Sequence, residues 1–293
     1  MKILLLGSNG QVGFELARTF LPLGEVIAVN REKVDLSDLE KLRETIQTIS
    51  PDVIVNAAAY TAVDKAETER VLAFAINAGA VAVLAQEAKK IKALLIHYST
   101  DYVFDGTKDI PYNEKDVTNP LSIYGESKLA GEQEIQQSGV DYLILRTTWV
   151  FASRGQNFVK SILRLAAERE ELNIVSDQIG APTSARFIAE TTAHILRQTQ
   201  QERDAKTFHS GIYNLTNSGE TSWHGFAEKI VELARREKIE LKNRFINPIP
   251  TSGYPTPAKR PLNSRLSTQK LSQHFGLTMP SWETVLELCL AEK

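Results

Sequence analysis

A chain of 293 residues, 42% hydrophobic and 24% charged, has enough apolar side chains for one large domain or two modest ones. A formal net charge of −2 leaves no electrostatic footprint for nucleic acid or an anionic membrane surface. One cysteine, Cys289, excludes an internal disulfide and a cysteine-based zinc cluster, and the five histidines show no metal-ligand spacing. The apolar start Ile3-Leu4-Leu5-Leu6 meets Gly7 too soon for a signal-peptide core, and no stretch reads as a bilayer span. The expectation is a cytoplasmic protein that engages neither nucleic acid nor membrane.

Lys2–Leu6, apolar and without helical period, predicts a first strand. Gly7-Ser8-Asn9-Gly10-Gln11-Val12-Gly13 follows, and then an amphipathic segment carrying Val12, Leu16, Ala17 and Phe20. Strand, glycine turn and helix together form the context in which a glycine pattern binds phosphate. Gly7 is expected to make the tight turn, Gly10 to admit a pyrophosphate and Gly13 to pack helix on strand. The spacing is G-x-x-G-x-x-G rather than G-x-G-x-x-G.

Glu25–Val29 predicts the second strand, ending at Asn30-Arg31. An acidic residue there would bind the 2′-hydroxyl of an NAD ribose. Asn30 is neutral, and Arg31 suits a 2′-phosphate or is a solvated surface charge. Asp35-Leu36 precedes a helix capped by Ser37 and running to about Ile49, where such loops approach an adenine. Asp52–Asn56 predicts the third strand, followed by Ala57-Ala58-Ala59-Tyr60-Thr61, small residues that let a ligand crowd the carboxyl edge of a parallel sheet. Val71–Lys90 reads as a long helix, with Asn77 among small apolar residues in either a structural or a functional role. Leu94–His97 predicts the fourth strand, and Ser99 or Thr100 beyond it could meet a substrate carbonyl or simply cap a turn.

Asn119-Pro120 reads as an N-cap and a first-turn proline, starting a helix at about Leu121. That helix carries Tyr124-Gly125-Glu126-Ser127-Lys128, and the i,i+4 spacing puts tyrosine and lysine on one face. A nearby ammonium favours the charged form of a phenol, so Lys128 is expected to lower the Tyr124 pKa and suit it to acid–base chemistry. An ordinary surface helix can carry the same pair. The nucleotide loop upstream and the hydroxyl-bearing strand end give it weight here.

Tyr142–Arg146 predicts the fifth strand, followed by Thr147-Thr148-Trp149-Val150-Phe151. Beyond about residue 150 the pattern loosens into helices over Asn157–Arg169, Phe187–Arg197 and Ser222–Arg236 and strands over Leu172–Val175 and Gly211–Leu215. Pro248–Pro261 reads as proline-rich and irregular. Arg260, Asn263 and Arg265 lie in or just after it, placed for an anionic group if the segment folds over the cleft, or else in a tail packed on the surface. The fold class is α/β, a doubly wound parallel sheet of Rossmann type, with a smaller, mixed C-terminal region that binds substrate. Residues 1–150 are the dinucleotide-binding region and 151–293 mainly the substrate region, with a soft boundary because later strands can join the first sheet.

The glycine loop, the Thr100–Tyr124–Lys128 set and the C-terminal half resemble the extended short-chain dehydrogenase/reductases. Within them the chain is similar, along nearly its whole length, to the dTDP-4-dehydrorhamnose reductase family. The matching stretches are Gly10–Gly13, Asn56–Lys65, Ser99–Gly106, Tyr124–Glu132, Arg146–Val150, Asp177–Thr183 and Arg260–Leu266. The resemblance implies reduction, by NADPH or NADH, of the 4-keto group of a dTDP-linked 4-keto-6-deoxy sugar, dTDP-4-dehydro-6-deoxy-L-mannose, to dTDP-L-rhamnose. It implies that Thr100 holds the carbonyl, Tyr124 protonates the alkoxide, and Lys128 tunes Tyr124 and binds the nicotinamide ribose. Gly7, Gly10, Gln11, Val12, Gly13, Ala59, Tyr60 and Thr61 would line the cofactor, with Asn30, Arg31, Asp35 and Leu36 at its adenosine end. Val63, Thr100, Asp101, Tyr102, Trp149 and Arg260 would meet the substrate. Some members carry Mg2+ at a subunit contact, and a homodimer is compatible with the family; the sequence establishes neither. A related epimerase or dehydratase, and a non-catalytic subunit like that of methionine adenosyltransferase, are the alternatives the resemblance leaves.

Overall fold

In the computed structural model, which describes residues 1–291, six strands form one parallel sheet. They are β1 (Lys2–Leu6), β2 (Glu25–Val29), β3 (Val53–Asn56), β4 (Leu94–Thr100), β5 (Tyr142–Thr147) and β6 (Gly211–Asn214), in the order β6-β5-β4-β3-β1-β2. The strands are apolar on both faces because both faces are covered. Ile3, Leu5, Val53, Val55 and Ile96 pack under α1 (Gln11–Thr19) and the long helix Ala185–Asp204. Leu4, Leu6, Ile54, Leu95 and Ile144 pack under α2 (Leu39–Ile49), α3 (Arg70–Lys90) and α4 (Ile123–Ser138). From β1 the chain goes to one side for β2 and to the other for β3, which opens a crevice at the carboxyl ends where a ligand lies in folds of this kind.

A second core under the later half gathers Phe151, Ile162, Phe226, Ile230, Trp282 and Leu286. Short strands tie it to the sheet end: Val150–Phe151 pairs with Thr183–Ser184, and Ile179–Gly180 with Thr221–Ser222.

Several local expectations need correction. The helix α4 starts two residues later than expected, at Ile123, and its cap is Ser122, whose hydroxyl accepts the Gly125 N–H at 3.2 Å. Asn119 instead donates to Asp105 at 3.1 Å, which holds the loop before the helix. Asp38, not Ser37, caps α2, because the Ser37 hydroxyl is engaged by Asp35 at 2.8 Å. Pro248 and Ile249 are not irregular; they lie in the strand Phe245–Ile249, which pairs in parallel with Glu171–Val175 as an edge where a missing N–H is tolerated. The fourth strand runs on to Thr100, so Ser99 and Thr100 are strand residues. Finally, α3 is long and apolar enough by length and composition to cross a membrane, against the reading that no stretch could. Here it is a core helix, its Ala80, Val81, Leu84, Ala85 and Ala88 sealed against the sheet.

Candidate active site

A cleft of about 680 Å³ opens at the carboxyl ends of β1, β3 and β4. Gly7 has φ +81°, and a Cβ there would sit 2.8 Å from the Ala57–Ala58 peptide. A Cβ on Gly13 would lie 2.1 Å from the Gly7 carbonyl, so only glycine lets α1 start this close to the strand. Gly10 caps α1 and leaves its first N–H groups facing the cleft, a ready site for phosphate. Gly7, Gly10, Gln11 and Val12 line one wall and Ala59, Tyr60 and Thr61 another, while Gly13 lies beneath the loop. Asn30, Arg31, Asp35 and Leu36 close the far end. Arg31 donates to Asp35 at 2.9 Å. Asp35 also accepts from the Ser37 N–H at 2.9 Å; that bond, the Ser37 hydroxyl and Arg31 together hold its carboxyl below the ordinary range.

At the inner end stand Tyr124 and Lys128. The Thr100 hydroxyl is a hydrogen-bond partner of Tyr124, donates to Asp101 at 3.1 Å and accepts from the Tyr102 N–H at 3.2 Å. Tyr102 meets Tyr124 edge-on, with ring centroids 5.6 Å apart. Burial pushes the Tyr124 phenol up to about 12 against the smaller opposing effect of the Thr100 bond. The expectation that Lys128 lowers it is therefore overturned. Lys128 is 2% exposed and is itself pushed down to about 8 by burial. Its Nζ lies 2.6 Å from the Tyr98 carbonyl and 3.1 Å from His97 Nε2.

Asp101 is 3% exposed, and burial pushes its carboxyl up to about 6 despite the bond from Thr100, while its Oδ2 has no hydrogen-bond partner. Arg260 does fold back, reaching Asp64 at 2.8 Å beside Val63 on the short helix Val63–Ala66 and near Tyr102. Asn263 and Arg265 do not form an anion site with it: Asn263 donates to the Lys108 carbonyl at 2.7 Å, and Arg265 pairs with Glu220 at 3.0 Å. None of Val63, Thr100, Asp101, Tyr102, Trp149 and Arg260 is among the residues lining the cleft; Trp149 takes φ +46° and stacks on Trp223 with centroids 3.6 Å apart.

Some site residues escaped the sequence reading. Thr147, Val150, Gly155 and Gln156 line the cofactor cleft from the start of the second half, and Asn157 donates to Gln11 at 2.8 Å. Asn77, singled out in the sequence with both roles open, is fully buried on a π-helical turn, accepts the Tyr60 N–H at 2.9 Å and donates to Ser127 at 3.0 Å, pinning the cleft wall to α4. The one sequence signal for His97 is a lone polar residue in an apolar strand. Among the described residues, no three His, Cys, Asp or Glu side chains gather as a metal site would.

A glycine-cradled dinucleotide cleft ending in Thr–Tyr–Lys over a parallel sheet defines an oxidoreductase of the extended short-chain dehydrogenase/reductase type. Comparison narrows this. The family model described as RmlD substrate binding domain matches residues 1–293. A dTDP-4-dehydrorhamnose reductase of Burkholderia thailandensis is 52% identical over 294 residues, covering 100% of this chain and 99% of that protein. One from Escherichia coli is 48% identical, covering 100% and 98%. The crystal structure of dTDP-4-dehydrorhamnose reductase from Bacillus anthracis in complex with NADP superposes with a TM-score of 0.89 at 35% identity, covering 100% of both chains. The chain belongs to the dTDP-4-dehydrorhamnose reductase family.

Proposed function

We propose that this protein reduces the 4-keto group of dTDP-4-dehydro-6-deoxy-L-mannose, giving dTDP-L-rhamnose, with NADPH used at least as well as NADH. The observation that carries the reading is the pair Tyr124 and Lys128 at the inner end of the dinucleotide cleft, with Thr100 hydrogen-bonded to Tyr124 behind it, in a chain of this family. The cofactor fits: the cradle under Gly7 and Gly13 is one that a Cβ would fill, and the cleft spans from Arg31 to Lys128. The reduced nicotinamide supplies the hydride.

The chain's own residues do the rest. Tyr124 donates to the C4 oxygen of the sugar, and the neighbouring Thr100 hydroxyl turns its hydrogen from Asp101 to the same oxygen when the sugar binds. As C4 takes the hydride, negative charge develops on that oxygen, and Tyr124 Oη gives it a proton. The phenol, raised to about 12 by burial, carries its proton at working pH and gives it up only to the more basic alkoxide. Lys128 offers an N–H to the nicotinamide ribose. Arg31, steadied by Asp35, meets the 2′-phosphate of NADPH, and Asn30 brings no charge to repel it. Val63, Asp101, Tyr102, Trp149 and Arg260 bind the sugar nucleotide, with Arg260 supplying the positive charge for its diphosphate. The division at residue 150 is soft: of these substrate residues only Arg260 comes from 151–293, while Gly155 and Gln156 of that half line the cofactor cleft.

The test is an assay with purified protein, NADPH and the dTDP-linked 4-keto sugar. Stoichiometric loss of NADPH is expected. Sugar interconversion without net NADPH loss would make the protein an epimerase instead.

A further inference from the structure

The segment that carries Arg260 has few ties to the rest of the chain. Upstream, the turn Thr251–Gly253 is held by Asp177, which accepts the Thr251 N–H at 2.9 Å. Downstream, the Leu262 carbonyl accepts the Ile179 N–H at 2.8 Å. Between them runs Pro255-Thr256-Pro257-Ala258-Lys259-Arg260-Pro261, whose three prolines have no backbone N–H to give. Among the described residues, every hydrogen bond from this stretch to the rest of the protein ends on one carboxylate, that of Asp64. Its Oδ1 accepts the Ala258 N–H at 3.2 Å, and its Oδ2 accepts from Arg260 Nη2 at 2.8 Å. The other bonds are internal: Arg260 Nη1 donates to the Thr256 hydroxyl and, at 3.2 Å, to the Ala258 carbonyl. Apolar contact adds only Ala258, 1% exposed, and Pro261, packed on Gly106.

Asp64 itself is firmly placed. It lies on the short helix Val63–Ala66, whose Ala66 is fully buried. Thr61 and Ala62, just before that helix, line the dinucleotide cleft. Just after it, Glu67 accepts the Ile123 N–H at 2.9 Å and so fastens the helix to the first turn of α4, which carries Tyr124.

We infer that Asp64 is a positioning residue for the substrate: its carboxylate fixes the 255–261 segment and aims the Arg260 guanidinium at the diphosphate of the sugar nucleotide. The donor count fits. A guanidinium has five N–H donors, and Nε and one hydrogen of Nη2 keep no partner among the described residues, so an anion can be held without breaking the pair. Arg260 stands beside Tyr102, whose ring meets Tyr124 edge-on, which puts the free donors at the sugar end of the site. The Arg260 and Asp64 side chains are 22% and 40% exposed, and an ion pair at that exposure adds little to global stability. The carboxylate also opposes an incoming diphosphate. Loss of an anchor therefore weakens substrate binding, whereas loss of a mere repelling charge strengthens it.

The substrate role of Arg260 rests on the proposed function; the anchoring does not, and it is measured on the resting chain. Trypsin cuts after Lys259, which is exposed, but not after Arg260, which precedes a proline. In the full-length protein under native conditions, Asp64→Ala should speed cleavage at Lys259–Arg260, read by mass spectrometry, by about fivefold or more. Asp64→Glu, which keeps two acceptor oxygens, should bring the rate back toward wild type. An unchanged rate in Asp64→Ala overturns the inference, whatever the reductase assay gives. Its Tm should fall by no more than about 2–4 °C; a larger fall makes Asp64 a structural residue instead. In the assay, KM for the dTDP-linked keto sugar should rise roughly five- to tenfold in Asp64→Ala, with kcat and the NADPH dissociation constant within about twofold. In an Arg260→Ala background the same substitution should leave KM where Arg260→Ala alone puts it. A KM that falls, or one that rises as much without Arg260, overturns the inference. If Arg260→Ala alone leaves KM normal, the substrate part falls together with the proposed role of Arg260, and the cleavage rates still decide the anchoring.

Discussion

Arg146 and Glu132 form a two-pronged ion pair, Nε to Oε1 at 2.9 Å and Nη2 to Oε2 at 2.6 Å, with the residues 2% and 1% exposed. The guanidinium lies 5.1 Å over the Phe104 ring, so it is packed as well as paired. Such a pair gains little over apolar residues of the same volume, but losing one partner strands a charge. Glu132→Gln or Arg146→Met is expected to cost roughly 3–5 kcal/mol in urea unfolding. The double variant Glu132→Leu/Arg146→Met should recover much of that. Singles that lose less than about 1 kcal/mol would mean the site hydrates the stranded charge.

Tyr124→Phe keeps the edge contact with Tyr102 and deletes the proton donor. A drop in kcat of roughly 10²–10⁴ is expected, with the NADPH dissociation constant nearly unchanged. Because burial holds the wild-type phenol near 12, the reduction rate should show no loss from Tyr124 ionisation up to about pH 10. Near-normal turnover in the variant would remove Tyr124 from the chemistry.

Asp101 makes a prediction about stability rather than rate. Its folded pKa, about 6, lies above its ordinary 3.8 because burial disfavours the carboxylate. The neutral acid is the better-tolerated form, so its contribution to stability is full below about pH 4 and is lost as pH rises through about 6. At 1.36 kcal/mol per unit, the loss is on the order of 2–3 kcal/mol. Asp101→Asn keeps the shape without the charge. Unfolding curves across that window should be flatter for the variant; parallel curves would show the carboxylate to be well solvated.

Cofactor choice turns on Arg31. Asp35 is already engaged by Ser37 and Arg31, so it is not free to swing to a ribose hydroxyl. Arg31 is exposed, which brings a charge-assisted contact to the 2′-phosphate down to the lower end of about 1.5–3 kcal/mol, roughly a tenfold preference. Arg31→Ala and Asn30→Asp should each shift the kcat/KM ratio toward NADH. An unaltered ratio in Arg31→Ala would reduce that residue to a surface charge.

What the sequence revealed was local. Gly7 and Gly13 were readable because turn and close approach depend on neighbours within a few residues. Tyr124 and Lys128 were readable because helical spacing alone puts them on one face. Their electrostatic relation was misread, since it depends on burial and on His97, which is brought beneath Lys128 only when β4 pairs beside β3. Asn77 stood out as a polar residue among apolar ones, but its partners Tyr60 and Ser127, 17 and 50 residues away, did not, and Gln156 reaches the cleft only after the chain has left β5. Ser122 displaced Asn119 as the cap because Asp105 had already claimed the asparagine side chain.

The stacking of Trp149 on Trp223 gives this protein a built-in optical reporter. The interplanar angle is 13°, close enough for the two indole transitions to couple, while Trp282 sits apart in the lower core against Phe226. With three tryptophans in the chain, the near-ultraviolet dichroism should carry a split band from the pair, superimposed on the signal of a single sheltered indole. A sugar nucleotide that presses on Trp149 would have to open or tilt the stack, and the split band would report its arrival without any label and without turnover.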